Sequence, residues 1–229
     1  MDVNSQKTNV LIGIFFSMTV LLAALLFSVL FRKLTTDKEL VFWLGRLSIW
    51  FCLLFIYLFV SQIEKQKFLL WTEMPLNFLE YLRSFIRIIF TIIVGAIIIG
   101  LTLKFLGNDP KQGSKFVEII QILKNSFPLL IFTCLTAGIT EELIFRGYLM
   151  PRLQLFFNNN YASIIISSIL FGLMHIGYGT IMQVFGPIFI GFVFAVHYQK
   201  YRNIKILIFC HFFWDFMSIM ANASLKPWE

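Results

Sequence analysis

Charged residues are scarce in this sequence, at 14% of 229 residues, whereas a soluble globular domain carries about 25%. Hydrophobic residues make up 59% of the chain, and its mean hydropathy is +0.82. So little charge excludes a soluble domain, because the apolar residues are too many to be hidden from water. Composition therefore predicts an integral membrane protein.

Cysteine is also scarce, with three residues in the chain. Cys52, Cys134 and Cys210 each lie inside a long apolar run, where cysteine usually behaves as a small hydrophobic side chain. The sequence contains no CxxC pair. It therefore offers neither a disulfide framework nor a cysteine-based metal site.

Long hydrophobic runs are abundant, and about 20 apolar residues suffice to cross a bilayer core of roughly 30 Å. None of the runs shows the alternation of apolar and polar residues that membrane barrel strands require. We therefore predict an all-α, polytopic transmembrane bundle of about seven to eight helices around a polar intramembrane cavity. The predicted spans are 10–31, 40–61, 84–106, 127–150, 161–176, 180–199 and 204–222, and the fourth could continue through PRLQLFF.

The first run is too long for the hydrophobic region of a signal peptide, and no small-residue cleavage site follows it, so we expect a retained helix. The net charge of +7 is expected to anchor loops to the headgroups of the lipid bilayer rather than to bind nucleic acid. When the loops are assigned alternately to the two sides, lysine and arginine divide eight against eight. The positive-inside rule therefore selects no orientation.

One amphipathic segment lies between the third and fourth spans. Phe116, Ile119, Ile120 and Leu123 recur there at helical spacing. This pattern predicts a helix at the membrane interface, and Ser126 is placed to cap the start of the fourth span.

Acidic residues inside the spans are rare and therefore informative. Of twelve acidic residues, only Glu141, Glu142 and Asp215 fall within the predicted spans, and all three histidines lie in the last third of the chain. A charge at mid-bilayer costs on the order of 3 kcal/mol and usually faces a bundle interior or a wet cavity. We infer that the last hundred residues carry the function.

The stretch AGITEELIFRGYLM contains two adjacent glutamates and an arginine. Glu142 and Arg146 are four residues apart, so they share a helical face and can pair. Glu141 lies about 100° around the helix, which leaves it free to act as a general base. The alternative is that both glutamates and Arg146 form a buried ionic cluster that only holds helices together.

Two further helices carry histidines. His175 follows Phe171 by one turn, and the nearby Ser168 and Gly172 would let another helix approach or leave space for a substrate. A lone histidine on an apolar face is, however, more often a hydrogen-bonded core residue. His197 lies one turn from a basic loop, so we expect it at the membrane interface.

His211 and Asp215 are again four residues apart, in CHFFWDFMS. The carboxylate could orient the imidazole, or both side chains could ligate a metal.

Together, EELIFR, FGLMH and HFFWD resemble the motifs EExxxR, FxxxH and HxxxN or HxxxD of the CPBP family. This family comprises type II CAAX prenyl endopeptidases and bacteriocin-processing or self-immunity membrane proteins, also called Abi. The resemblance covers about residues 110–222, and GPIFIGFVFAV could correspond to a glycine-bearing family motif. It implies N-terminal transmembrane helices over 1–106 and a catalytic helical core over 107–229, in one integrated membrane domain.

The resemblance implies an intramembrane endopeptidase, a hydrolase that cuts a membrane-presented, prenylated or leader-type peptide. Glu141 with His175 would activate a water molecule. His211 and Asp215 would stabilise the oxyanion, and Glu142 with Arg146 would support the site.

Position 215 departs from the asparagine form of the motif. Asparagine could donate a hydrogen bond to an oxyanion, whereas an ionised aspartate cannot. Either Asp215 is protonated, or it orients His211, which then donates alone. In a third possibility Glu141, His175 and His211 hold a metal such as zinc together with Asp215. Because no HExxH spacing is present, we favour a site without metal or other cofactor.

Two other functions remain open. A non-catalytic immunity or regulatory protein would use the same polar core for binding. A proton-coupled transporter would also place acids and histidines in the membrane, although the paired broken helices of such transporters are not evident. The short, phenylalanine-rich composition favours a bacterial plasma membrane.

Overall fold

The computed structural model describes residues 3–107 and 113–224. This part of the chain forms eight helices and contains no strand. The helices are α1 (Val3–Leu34), α2 (Lys38–Glu64), α3 (Phe78–Phe105), α4 (Ser114–Asn125), α5 (Phe127–Phe157), α6 (Asn160–Leu173), α7 (Met182–Tyr201) and α8 (Ile204–Ser224). The all-α prediction is confirmed.

All the helices except α4 are long and apolar enough to cross a membrane, which makes seven candidate spans in the described residues. Each predicted span corresponds to one of them, and the fourth does run on to Phe157. Large apolar side chains such as Phe15, Leu26 and Phe90 are 65%, 71% and 65% exposed on the outer faces of the bundle. Such a surface suits acyl chains rather than water, and the protein is an integral membrane protein.

Helix α5 lies at the centre of the bundle. Of its most apolar window, 56% is buried inside the protein, against 17–33% for the other six spans. Polar side chains on α5 therefore face protein rather than lipid, which is the condition under which ionisable groups are tolerated at this depth.

The backbone of α5 departs from regular α-helix around its charged residues. It widens to π-helical geometry over Ala137–Glu141 and Leu143–Leu149, a distortion that is frequent at functional sites. Gly138 lies so close to α8 that a Cβ atom there would be 2.8 Å from the Ile208 carbonyl oxygen. The glycine thus lets α5 and α8 cross tightly, one turn before the two glutamates.

The far end of α5 carries a buried ion pair that joins it to α2. Arg152 and Glu64 are 0% and 1% exposed, and Nη2 of Arg152 lies 2.5 Å from Oε2 of Glu64. The remaining guanidinium N–H groups donate to the carbonyl oxygens of Lys67, Phe68 and Tyr148. Glu64 lies beyond the predicted span end at 61 because α2 runs further, whereas Arg152 lies in the predicted continuation of the fourth span through PRLQLFF.

The loop between α2 and α3 forms hydrogen bonds with residues around the start of α8. The Glu73 carboxylate accepts hydrogen bonds from the Tyr198 hydroxyl at 2.7 Å and from the Ile204 amide at 2.6 Å. Asn203 donates to the carbonyl oxygen of Met74 at 2.7 Å. A carboxylate at the N-terminal end of α8 also complements the helix dipole, so this loop sets where α8 begins.

Helix α4 forms as its periodicity predicts. Ile120 and Leu123 are buried, and Lys38 of α2 forms an exposed ion pair with Glu118 at 2.8 Å. Ser126 occupies the N-cap position of α5, as predicted, but its side chain forms no capping hydrogen bond, and its hydroxyl donates to Glu39 at 2.6 Å. The location of α4 at the membrane interface stays a prediction.

Candidate active site

Glu142 is the centre of a buried ionic cluster between α5 and α8. Its Oε1 accepts hydrogen bonds from Nη1 of Arg146 at 2.7 Å and from Nδ1 of His211 at 2.8 Å. All three side chains are at most 5% exposed. The pairing of Glu142 with Arg146 that the spacing predicts is therefore present, and His211 joins it from another helix.

The hydrogen bond to Glu142 defines how the His211 ring is held. A carboxylate only accepts, so Nδ1 of His211 carries the proton. Nε2, on the opposite edge, lies 3.5 Å from Oδ2 of Asp215 and 4.0 Å from Oε2 of Glu141. The carboxylate that holds the ring through Nδ1 is thus Glu142, whereas the sequence suggested Asp215 for this part.

Glu141 stands apart from the cluster that contains its neighbour. Its side chain is 19% exposed, compared with 0% for Glu142. Its distance of 4.0 Å from Nε2 of His211 is too long for a hydrogen bond. The two adjacent glutamates therefore occupy different environments: Glu142 is buried and bonded through Oε1 to Arg146 and His211, whereas Glu141 is open to a cavity.

His175 lies just after the end of α6, with its ring beside Phe171 and Tyr178 at centroid distances of 5.1 and 5.7 Å. Its Nδ1–H donates to the Phe171 carbonyl oxygen at 2.9 Å. A carbonyl only accepts, so in the neutral ring Nε2 keeps a lone pair. His175 is thus held by the backbone as a core histidine would be, while one nitrogen stays available as an acceptor.

The phenylalanine of the FxxxH motif packs between the two histidines and covers the buried arginine. The Phe171 centroid lies 5.9 Å from that of His211 and 4.3 Å from Cζ of Arg146. On α7, a Cβ at Gly191 would come within 3.1 Å of Nη2 of Arg146. The aromatic face stabilises the guanidinium through a cation–π interaction. Gly191, the second glycine of GPIFIGFVFAV, leaves space for the guanidinium.

Two cavities, of ≈ 270 Å³ and ≈ 110 Å³, lie beside these residues and share part of their walls. Both are lined by Arg46, Glu141, Phe171, His175 and Tyr178, and His211 and Asp215 line the larger one. Most of the other lining side chains of the larger cavity are apolar and come from α3, α4, α7 and α8. An apolar pocket with a few convergent polar groups is the usual form of a substrate site, and all four predicted catalytic residues lie on its wall.

Arg46 and Tyr178 are cavity residues that the sequence analysis did not single out. Arg46 interrupts the apolar run ELVFWLGRLSIWFCLLF of α2, and an intramembrane arginine marks a functional site by default. A search of the spans for acids and histidines alone passes over it. Tyr178 lies in the uncharged connection HIGYGTIMQ, where no pattern distinguishes it.

His197 lies outside this arrangement. Its side chain is buried at 5% exposure, with its ring 4.5 Å from that of Tyr201. It is not among the residues that line the two cavities, so packing inside the bundle accounts for it.

The described residues contain no group of three or more His, Cys, Asp or Glu side chains arranged to hold a metal ion. The alternative ligand set of Glu141, His175 and His211 does not form such a group there. His211 would offer a metal only Nε2, because Nδ1 is engaged by Glu142.

Residues 123–217 match a protein-family model described as type II CAAX prenyl endopeptidase, Rce1-like. The matched segment runs from the end of α4 to α8 and includes every predicted site residue from Glu141 to Asp215. The match confirms the resemblance to the CPBP and CAAX protease family that the three motifs carry. No curated protein and no solved structure matches the chain.

Proposed function

We propose that this chain, Rce1-like over residues 123–217, is an intramembrane endopeptidase that cuts a membrane-presented, prenylated or leader-type peptide. The family implies a protease in general terms. The observation that supports the specific proposal is that Glu141, His175, His211 and Asp215 line one cavity within a membrane bundle. A bacterial plasma membrane as its location stays a prediction from composition.

The proposed base is Glu141. It is the carboxylate of the adjacent pair that faces the cavity without a cationic partner bound to it, so it can accept a proton from water. Nε2 of His175 accepts a hydrogen bond from the same water and orients it. Proton transfer to a positioned base contributes about 10²–10⁴ in rate.

The proposed support is the Glu142–Arg146–His211 cluster. Glu142 holds His211 at 2.8 Å and is itself held by Arg146 at 2.7 Å, so the imidazole edge that faces the cavity is fixed before substrate binds. Preorganisation of this kind avoids reorganisation during the reaction. Asp215, at 3.5 Å from Nε2, positions the same edge.

The test uses the purified protein in proteoliposomes, with a fluorogenic farnesylated CAAX-type peptide and the same peptide without its lipid as probes. A peptide comparison of membranes with and without active enzyme extends the test to natural substrates. We expect Glu141→Gln, His175→Ala and His211→Ala each to lose at least about 10²-fold in cleavage rate.

Matched controls are available for both residue types. Glu80→Gln makes the same chemical change at an exposed position, where glutamine can still complete the capping box with Asn77. His197→Asn changes a buried histidine that lies outside the cavities. Undiminished cleavage by all three site variants would rule out the proposed mechanism.

A binding function is the second candidate, because a buried ionic cluster such as Glu142–Arg146–His211 would equally stabilise a non-catalytic immunity or regulatory protein. Glu141→Gln is nearly isosteric and separates the two. Retention of the cellular phenotype in Glu141→Gln, with no cleavage by the native protein, would favour binding.

A further inference from the structure

Arg46 is an intramembrane cation placed at the junction of the two cavities. Tyr178 shares the walls of both cavities with it, and Asp215 lines the larger one. Glu141 and His175 line the same two cavities. The Nε atom of Arg46 is buried and has no hydrogen-bond partner among the described residues. An unsatisfied buried donor is destabilising, the more so when it is charged, so a ligand acceptor is expected at this position.

The predicted oxyanion site of His211 and Asp215 has few hydrogen-bond donors. Asp215 in its ionised form only accepts hydrogen bonds, and His211 uses Nδ1 to bind Glu142. Only the Nε2 edge of His211 is left to face a substrate oxygen, and it already lies against carboxylates. Transition-state anions in peptide hydrolysis are normally met by several preorganised donors.

The two arginines near the site differ in their availability. Arg146 is 0% exposed and bound to Glu142 through Nη1, while its Nε and Nη2 have no hydrogen-bond partner among the described residues. It is not among the cavity-lining residues. Arg46 lies on the cavity wall, with its Cζ 4.9 Å from the centroid of the Phe42 ring. Contact with an aromatic ring can hold a guanidinium without using its N–H groups, and Nε of Arg46, which has no partner among the described residues, is available to a ligand.

We propose that Arg46 is a further catalytic residue that donates a hydrogen bond to the oxyanion formed on the scissile carbonyl. This inference rests on the proposed peptidase function. During attack, one O–H bond of water breaks and its proton moves to Glu141, while the water oxygen bonds to the carbonyl carbon. The π electron pair moves onto the carbonyl oxygen, where Arg46 donates to it. On collapse the carbonyl re-forms, the C–N bond breaks, and the leaving amine takes the proton from Glu141; Arg46 itself exchanges no proton.

The experiment measures kcat and KM for Arg46→Gln and Arg46→Lys, with the farnesylated fluorogenic peptide as substrate. Arg83→Gln, at an exposed position of α3, is the matched control. We expect Arg46→Gln to lower kcat by about 10²–10³, the loss typical of a missing oxyanion donor, with KM little changed. A peptidyl phosphinate, whose tetrahedral anion mimics the intermediate, should lose inhibition by a similar factor.

Each result of these kinetic measurements either supports or overturns the proposed role of Arg46. A raised KM with unchanged kcat would assign Arg46 to anchoring the substrate and overturn the proposal, as would unchanged kcat and phosphinate inhibition. If thermal unfolding in detergent shows that Arg46→Gln does not fold, Arg46→Lys carries the test: it keeps the charge but loses the Nε donor, so a partial loss of kcat is expected. Persistent cleavage by Glu141→Gln would instead refute the peptidase mechanism itself, independently of Arg46.

Discussion

The close crossing of α5 and α8 at Gly138 allows us to predict how a substitution there changes stability and activity. This prediction depends on the three-dimensional structure alone. A Cβ added at this position would lie 2.8 Å from the Ile208 carbonyl oxygen and 3.2 Å from the Phe212 amide nitrogen. Both neighbours are backbone atoms, so neither can rotate away. The substitution Gly138→Ala therefore has to displace α8 itself.

The expected displacement follows from the contact distance. Carbon and carbonyl oxygen approach comfortably at about 3.3–3.6 Å, so α8 has to shift by roughly 0.5 Å. Overpacking of this kind costs about 1–3 kcal/mol in the free energy of unfolding. Because α8 carries His211, and a misplacement of about 1 Å can cost 10²-fold in rate, we expect cleavage to fall by about tenfold.

Cleavage of the fluorogenic peptide and thermal unfolding in detergent measure these two effects. Gly100→Ala is the matched control, since a Cβ there meets nothing within 4 Å. In a helix interior, alanine is favoured over glycine by about 0.8–1.0 kcal/mol, so the control should be neutral or stabilised. A fully stable and active Gly138→Ala variant, or an equal loss in Gly100→Ala, would refute the reasoning.

Three further predictions concern two ion pairs of the bundle and the metal dependence of cleavage. Arg152→Ala leaves Glu64 buried and unpaired, and we expect it to cost about 3–5 kcal/mol in the free energy of unfolding, measured as a lower thermal midpoint. Lys38→Gln removes the exposed pair with Glu118 and should cost at most about 1 kcal/mol; a loss equal to that of Arg152→Ala would contradict the burial argument. Chelators such as EDTA and 1,10-phenanthroline should leave cleavage unchanged, because the proposed mechanism activates water with Glu141 and His175 and uses no metal. Activity that is lost on chelation and restored by zinc would contradict this.

The membrane spans could be read from the sequence because they depend on the apolar content of each run. Helix ends were less accurate, as Glu64 shows, which lies beyond the predicted end of the second span. A carboxylate in an apolar setting is tolerated when its partner is present, and the partner of Glu64 is Arg152, 88 positions away. Local composition does not reveal such a partner, so the second span was predicted to end before Glu64.

The candidate site was accessible to sequence reasoning where its residues form motifs. EELIFR, FGLMH and HFFWD place Glu141, His175 and His211 at helical spacings that point to chemistry. Arg46 belongs to no such motif and lies on α2, outside the matched segment. Its proximity to the site depends on how the N-terminal helices pack against the C-terminal ones.

The sequence by itself determined that this chain is a helical membrane protein, and that Glu142 and Arg146 share a face, because both follow from properties of single helices. Only the tertiary structure decided which charges meet. Glu142, rather than Asp215, holds Nδ1 of His211 across 69 residues of chain, since α5 and α8 cross closely at Gly138. Helical spacing is local, whereas contacts between helices depend on where small residues let backbones approach, and that is a property of the whole bundle.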